Sequence, residues 1–581
     1  MSSPLEKMKV DVSYIVTDVI SVDTNTSYSE LYFPKNTQLR ESNGFSENLS
    51  QNHRINGKIE LEPDSLNKIV IRAQAETQSR NNEMRSQTFS FLNSSENLLN
   101  SAVTENLNLT ENSKFISKIH WTKKSKKNKE NYWVSSIYFG STRQNEDGNA
   151  FFNTADFRLT LPQNETPIIN QALKTSDQTI ATTLGYQFKV TDKFKIRPGI
   201  NWMGTDYQHS FDWVDTNEGK LQANSPSGEV RSDNLEYYVH FIYQLDSFTT
   251  LRLVPEINQM IERRDFTTDV DTSFSFNQYY FIPYFFINSR KQHNYNFYLS
   301  LRANVNRPQT QQFLPVTDTR NPYNVSIGNI RLVNNMNYSG YANFRKMLGL
   351  QKSLRFYTWS RYNLNPVIAR NTVDENGYAV RELINNKYSF NSSQDVTLSW
   401  PLKFLKATSE IGIQYSHSRS FTEQNEIEIE ARDNMYRGNI GFNWYDFDKI
   451  SFEIDYGIGY NSGTIAGVSN NGFITQDIYT EAVWNITDRL EWSVDFDLET
   501  YSGSETAPAQ FIPILSSQIN YSLDTLNRWT VGIKGFDILD KNTNIWRSWS
   551  QNSFRQFENL TIRQYFMATI RYNIKKPKGK K

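Results

Sequence analysis

The stretch Leu235-Glu236-Tyr237-Tyr238-Val239-His240-Phe241-Ile242-Tyr243-Gln244-Leu245 decides the fold. One face carries Leu235, Tyr237, Val239, Phe241, Tyr243 and Leu245; the other carries Glu236, Tyr238, His240 and Gln244. Successive side chains point to opposite faces only in a β-strand, so a period of two predicts a strand with one apolar and one polar face. Asp246, Ser247 and Phe248 predict a tight turn, after which Leu251, Leu253, Pro255 and Ile257 resume the alternation. Pro255 removes one ladder donor, a local flaw in that strand.

The same hairpin recurs along the chain. Val10, Val12 and Tyr14 predict a first short strand, followed by a polar loop to about Asn52. Strands over 55–61 and 68–75 flank a turn at Pro63 to Asn67, and strands over 115–121 and 133–139 flank the basic turn 123–129. Further pairs follow, among them Ile440, Phe442, Trp444 with Phe452, Ile454, Tyr456, and Ile478, Ala482, Trp484 with Leu490, Trp492, Val494. The last strand holds Phe566, Ala568, Ile570, Tyr572 and Ile574.

Two kinds of connection alternate. Short ones carry Asp64, Asp192, Asp246, Asp448, Asp488 or Asp524; long polar ones cover 78–113, 143–178, 205–233 and 306–334. Short turns at one rim and long loops at the other describe an outer-membrane barrel, with periplasmic turns and extracellular loops. The fold class expected is therefore all-β: a large antiparallel transmembrane β-barrel of about 22 strands. Residues 1–581 form a single barrel domain, with 1–7 and 575–581 as flexible tails.

Composition agrees. Hydrophobic residues make up only 38% of the 581, yet aromatics reach 14%, with 32 Tyr and 37 Phe. A soluble core of this size would use more Leu, Ile, Val and Ala. A mean hydropathy of -0.64 beside many aromatics fits strands with one greasy and one wet face. A soluble propeller or set of sandwiches is the competing architecture, but it rarely keeps meander order for so long. No apolar run reaches the about 18 residues that a membrane helix needs. With no Cys, disulfides and thiolate metal sites are excluded, and a net charge of +0 gives no global field toward nucleic acid. Met1-Ser2-Ser3-Pro4 is no secretory leader; for an outer-membrane protein the leader is expected to have been removed or to lie upstream.

Two motifs carry a family resemblance. Asn306-Arg307-Pro308, then Phe313-Leu314-Pro315, Asp318, Asn321-Pro322 and Gly328-Asn329, is similar to a signature in the barrels of TonB-dependent receptor-like outer-membrane proteins. Asp537-Ile538-Leu539-Asp540-Lys541-Asn542, with Ile545 and Arg547, then Arg563-Gln564-Tyr565-Phe566-Met567, resembles the closing strand pair of the same family. The family usually has Gly-Asn-Pro, whereas Ile330 follows Asn329 here, and Val333-Asn334 stands where Pro-Glu is common. The resemblance implies energised uptake of a bulky nutrient, an N-terminal plug domain and a TonB-type energising protein as partners. With a first strand beginning by about Lys9, the plug is expected to have been removed, to lie on another chain, or to be missing from a plugless relative.

Candidate residues follow. Arg307, Asn321 and Asn329 sit in a loop where recognition groups usually lie; read structurally, Pro, Gly and Asn simply clamp that loop. Glu453, Asp455, Asp477, Glu481, Asp495, Asp497 and Glu499 fall on the polar faces of their strands. They form either an acidic lumen wall selecting cationic or hydroxyl-rich solutes, or just a wet face. Glu426, Glu428, Glu430 and Asp433 lack EF-hand spacing and read as a solvated loop. Six scattered His give no zinc spacing. The turn 123–129 and the tail 575–581 read as solvated rims touching lipid headgroups. No catalytic constellation and no cofactor motif stand out.

The function expected is binding and uptake of an unidentified bulky solute by a barrel set in outer-membrane lipid. The alternatives are a plugless docking barrel serving as a platform for a partner protein, and a soluble glycan-binding β-protein.

Overall fold

The computed structural model describes residues 8–573 apart from 33–36, 157–167, 216–218, 221–224, 268–270, 293, 314–316, 319–323, 350, 374–378, 447–448, 466–467, 470–471, 503–507, 526–527, 551–552 and 560. Both expected tails lie outside the described residues.

The described residues form one 32-stranded sheet, and its long strands follow each other as an antiparallel meander. Six of the segments are short and lie in connections: Gly219–Lys220, Thr317–Asp318, Asn324–Ile327, Val367–Val373, Ala379–Asn385 and Val468–Ser469. Four staves are each broken once, leaving about 22 staves, the size of plugged outer-membrane transporters. One break is at Pro255, where Thr249–Val254 gives way to Glu256–Thr267. The neighbouring stave breaks at the same height, between Thr272–Phe281 and Tyr284–Lys291. Pro255 still accepts the Val239 N–H at 3.2 Å, so the interruption costs a donor and no more.

The opening hairpin behaves as its pattern dictates. Tyr237, Tyr243, Leu245, Leu253 and Ile257 are exposed on the outer side. Turn-end aromatics collect on that side as well. Trp484 meets Trp492 at 6.3 Å, Trp133 meets Tyr186 at 4.6 Å and Trp529 meets Tyr572 at 4.5 Å. Amphipathic rings belong where an apolar band meets water, so these mark the turn-end girdle.

Two expectations need correction. The first strand is not short and residues 78–113 are not a loop. Met8–Tyr32 and Thr37–Leu61 pair along their full lengths. Asn67–Leu92 and Leu98–Lys124, 26 and 27 residues long, pair through most of 78–113. A tilted membrane strand needs only about 9–11 residues. The excess is a polar extension of the wall, held by cross-strand side chains. Asn52 donates to Glu76 at 2.9 Å, Gln78 to Ser50 at 3.2 Å, Arg80 to Asn48 at 2.6 Å and Thr88 to Ser42 at 3.0 Å. Such Asn, Gln, Ser and Thr ladders stabilise a sheet without an apolar face, which is why the stretch reads as loop. The expected loops 143–178 and 205–233 shrink likewise, since Tyr132–Asp156, Ile168–Lys189, Phe194–Asp215 and Ser227–Gln244 enter them.

The second correction concerns closure. Met8–Tyr32 returns to the end of the chain by pairing with Ser553–Asn559 over residues 25–31. Over 8–24 its second edge has no ladder among the described residues. The cause is a break in the last two staves, whose turn-end halves, Trp529–Phe536 and Tyr565–Tyr572, pair with each other. Their loop-end halves, Asn544–Ser550 and Ser553–Asn559, form a separate hairpin. The wall is therefore joined at the loop end and unsealed below it.

Candidate functional site

The inner face of strands Ile450–Ile465, Phe473–Asn485 and Leu490–Tyr501 brings all seven candidate carboxylates together. The register sets Glu453 opposite Glu481 and Glu481 opposite Asp495. One step along, Asp455 faces Tyr479, which faces Asp497; beyond that, Asp477 faces Glu499. The period of two puts them on one face, opposite Ile454, Tyr456, Trp492 and Val494. Asp477 is ion-paired with Arg437 at 2.6 Å, and Gly457 makes room for that pair, since a Cβ there would lie 2.6 Å from the guanidinium. Glu481 accepts from the Tyr479 hydroxyl at 3.1 Å and Glu453 from Asn443 at 3.3 Å.

Toward the loop end the same inner face turns apolar. Phe473, Tyr501 and Ile512 are buried under Ile545 and Phe554 of the terminal hairpin. The Tyr501 hydroxyl donates to the Ile545 carbonyl at 3.2 Å. Arg547 lies 5.5 Å from the Tyr501 ring and donates to the Ser502 carbonyl at 2.9 Å. The hairpin reaches this position through an elbow made by the second family motif. Asp537 accepts the N–H groups of Lys541 and Asn542 at 3.1 and 2.8 Å. Asn542 donates to Thr561 at 2.8 Å, and Gln564 to the Ile538 carbonyl at 2.8 Å.

The first motif builds a second buried cluster. Phe313 and Leu332 pack with Val230 and Phe266. Arg264, fully buried, donates to Glu262 at 2.5 Å and to the carbonyls of Ile330 and Leu332 at 2.6 and 2.8 Å. Its guanidinium lies 4.1 Å from the Phe313 ring. Arg307 approaches the other oxygen of Glu262 at 2.8 Å. Asn329 donates to the Leu383 carbonyl at 2.9 Å and accepts the Arg331 N–H at 3.0 Å, tying the loop to hairpin Val367–Val373 and Ala379–Asn385. Asn385 completes the tie with two bonds to the Val333 backbone. Asn329 thus spends its polar groups on the clamp, Arg307 joins it through its ion pair with Glu262, and Asn321 lies outside the described residues.

Glu262 and Arg264 escaped the sequence reading. Their signal is an acid and a base at i, i+2 on the polar face of a strand, a pattern shared by many exposed pairs. Of the other acidic candidates, Glu428 pairs with Lys387 at 3.0 Å and Glu430 with Arg432 at 2.8 Å and with Arg419. Beside the basic turn, Glu130 takes Lys189 and Lys195 at 2.9 and 2.6 Å, which holds its carboxyl below the usual range.

No family model and no curated protein matches the chain. Similar solved structures include the siderophore receptor PirA from Pseudomonas aeruginosa, at 11% identity and a TM-score of 0.38, covering 95% of this chain and 81% of that one. The copper transporter OprC is similar at 9% identity and a TM-score of 0.44, covering 94% of this chain and 80% of that one. The FrpB iron transporter from Neisseria meningitidis is similar at 10% identity and a TM-score of 0.38, covering 94% and 81%.

Proposed function

We propose that this chain sits in an outer membrane and binds and passes a bulky solute through its lumen, acting as a carrier wall and not as a catalyst. The observation that carries the reading is the row Glu453, Glu481 and Asp495, like charges set directly opposite each other across three strands. Such neighbours destabilise a sheet, so a wall that keeps them maintains a negative field over the route. That field favours solutes bearing positive charge or many hydroxyls. A plug domain or TonB-type energising protein, implied by the resemblance, would act on the same lumen.

Reconstitution into planar bilayers tests this. The expected result is conductance that prefers cations, with the preference at least halved in a Glu453→Gln, Glu481→Gln, Asp495→Asn variant. A silent bilayer, or selectivity untouched by the triple change, contradicts it.

One observation favours the docking alternative: the polar extension of the first staves, which rises far beyond membrane needs. A platform there would tolerate a bulky maleimide on Asn81→Cys without loss of conductance, while losing co-purification of its partner. A drop in conductance on labelling would count against the platform.

A further inference from the structure

Within the polar extension of the first staves the outer face turns apolar a second time. Ile20 stands opposite Leu49, Leu49 opposite Asn81 and Asn81 opposite Leu109. One row further toward the loop end, Val22 faces Glu47, Glu47 faces Glu83 and Glu83 faces Leu107. Ile20, Val22, Leu49, Leu107 and Leu109 are all exposed, Ile20 at 68%. This is not the top of the lower apolar run, which ends at Ile55 and Phe115. Leu49 and Leu109 stand about 20 Å beyond those residues along their strands. Two polar rows, His53–Thr77–Ser113 and Gln51–Ser79–Glu111, lie between. An isolated apolar patch with a polar rim marks a surface that meets another molecule.

Charge decides what kind of molecule. Glu47 and Glu83 are set directly against each other, an arrangement that costs stability. Asp147 ends the row of Leu109, and Asp18 and Glu111 border it on the turn side. Arg85, one row beyond Glu83, is taken by Glu105 at 2.9 Å. Lys174 and Arg143 stand on the neighbouring staves, one and two rows below Leu109, which leaves the acids in excess. An anionic lipid surface is repelled by such a face. A second copy joined by a two-fold axis sets the patch against itself, carboxylate on carboxylate.

We propose that this outer face docks a segment of a partner protein in which apolar side chains are flanked by Lys or Arg. Its apolar side covers Leu49 and Leu109, and its bases relieve the Glu47–Glu83 repulsion. This deepens the platform reading, on which it rests, by naming the partner's chemistry; Asn81 lies inside the patch.

The test is fluorescence anisotropy on the full chain in nanodiscs of neutral lipid, with a short fluorescein-labelled amphipathic helix of Leu and Lys as the probe. A helix of Leu and Glu and empty discs are the controls. The Leu/Lys helix is expected to bind chain-loaded discs more tightly than empty ones. Binding is expected to weaken by about tenfold or more in Glu47→Lys, Glu83→Lys and in Leu49→Ser, Leu109→Ser. Heat-modifiable migration on gels shows that each variant is folded. Equal binding to empty discs, by the Leu/Glu helix or by the charge-reversed variant would overturn the proposal, as would self-association of the chain through these residues. Failure of the helix to bind, while the Asn81→Cys label still strips a co-purifying partner, would remove this chemistry and leave the platform standing.

Discussion

Asp246 shows how much one residue settles. Its carboxylate accepts the Phe248 N–H at 2.7 Å and the Thr249 hydroxyl at 3.3 Å, turning the chain between two staves. The backbone bond from Phe248 is the main reason its carboxyl is held below the ordinary range. A depressed folded pKa contributes stability that is present above the unfolded value of about 3.9 and is lost as pH falls through the folded one. Urea midpoints followed from about pH 6 down to 2 are expected to fall less in Asp246→Ala than in the parent; parallel curves would refute the role. Asp64 and Asp524 do the same work, accepting Leu66 N–H at 2.7 Å and Arg528 N–H at 2.7 Å. Elsewhere the sequence singles out the neighbour of the right residue. In the turns with Asp192 and Asp488 the cap is Thr191 or Thr487, which accept Phe194 and Leu490 N–H at 3.0 Å each. Asp and Thr both cap turns, and only the backbone path chooses between them. Glu262 was not legible at all, because burial and not residue type makes it important. Glu262→Gln leaves Arg264 buried without its counterion, a loss of about 3–5 kcal/mol in a denaturant midpoint; a loss below about 1 kcal/mol would mean the clamp does not depend on the pair.

At the scale of elements, strand periodicity gives the portions of the staves with one apolar face and one polar face, and with them the seven inner carboxylates. It stops where the wall turns polar on both faces, because residues such as Asn48, Ser50, Gln78 and Arg80 pair across strands without alternating in hydropathy. The elbow was visible as a motif, but its action was not. Asp537 and Asp540 adopt φ of 45° and 52°, left-handed values uncommon for residues other than Gly. Those bends send the terminal hairpin inward onto Tyr501. Asp537→Ala removes the acceptor for two N–H groups, worth about 1 kcal/mol by analogy with a lost helix cap. Amide exchange over 544–559 is expected to quicken by roughly fivefold. Unchanged exchange would show that the hairpin is held by its apolar contacts alone.

For the whole molecule, the seam is the feature that no single hairpin could reveal. An edge strand paired on one side leaves every second N–H without a ladder partner. Alternate amides in 8–24 are therefore expected to exchange fast while their neighbours stay protected. Uniform protection would show a sealed seam. The central claim is wider: greasy rows face lipid and carboxylate rows face water within one stave. A spin-label scan of Leu490–Tyr501 in liposomes tests it most directly, helped by the absence of native Cys. Labels at Trp492, Val494, Phe496 and Leu498 are expected to be relaxed by oxygen, and those at Ser493, Asp495, Asp497 and Glu499 by a water-soluble nickel chelate. Relaxation by the chelate at every position, or no alternation at all, would contradict the barrel.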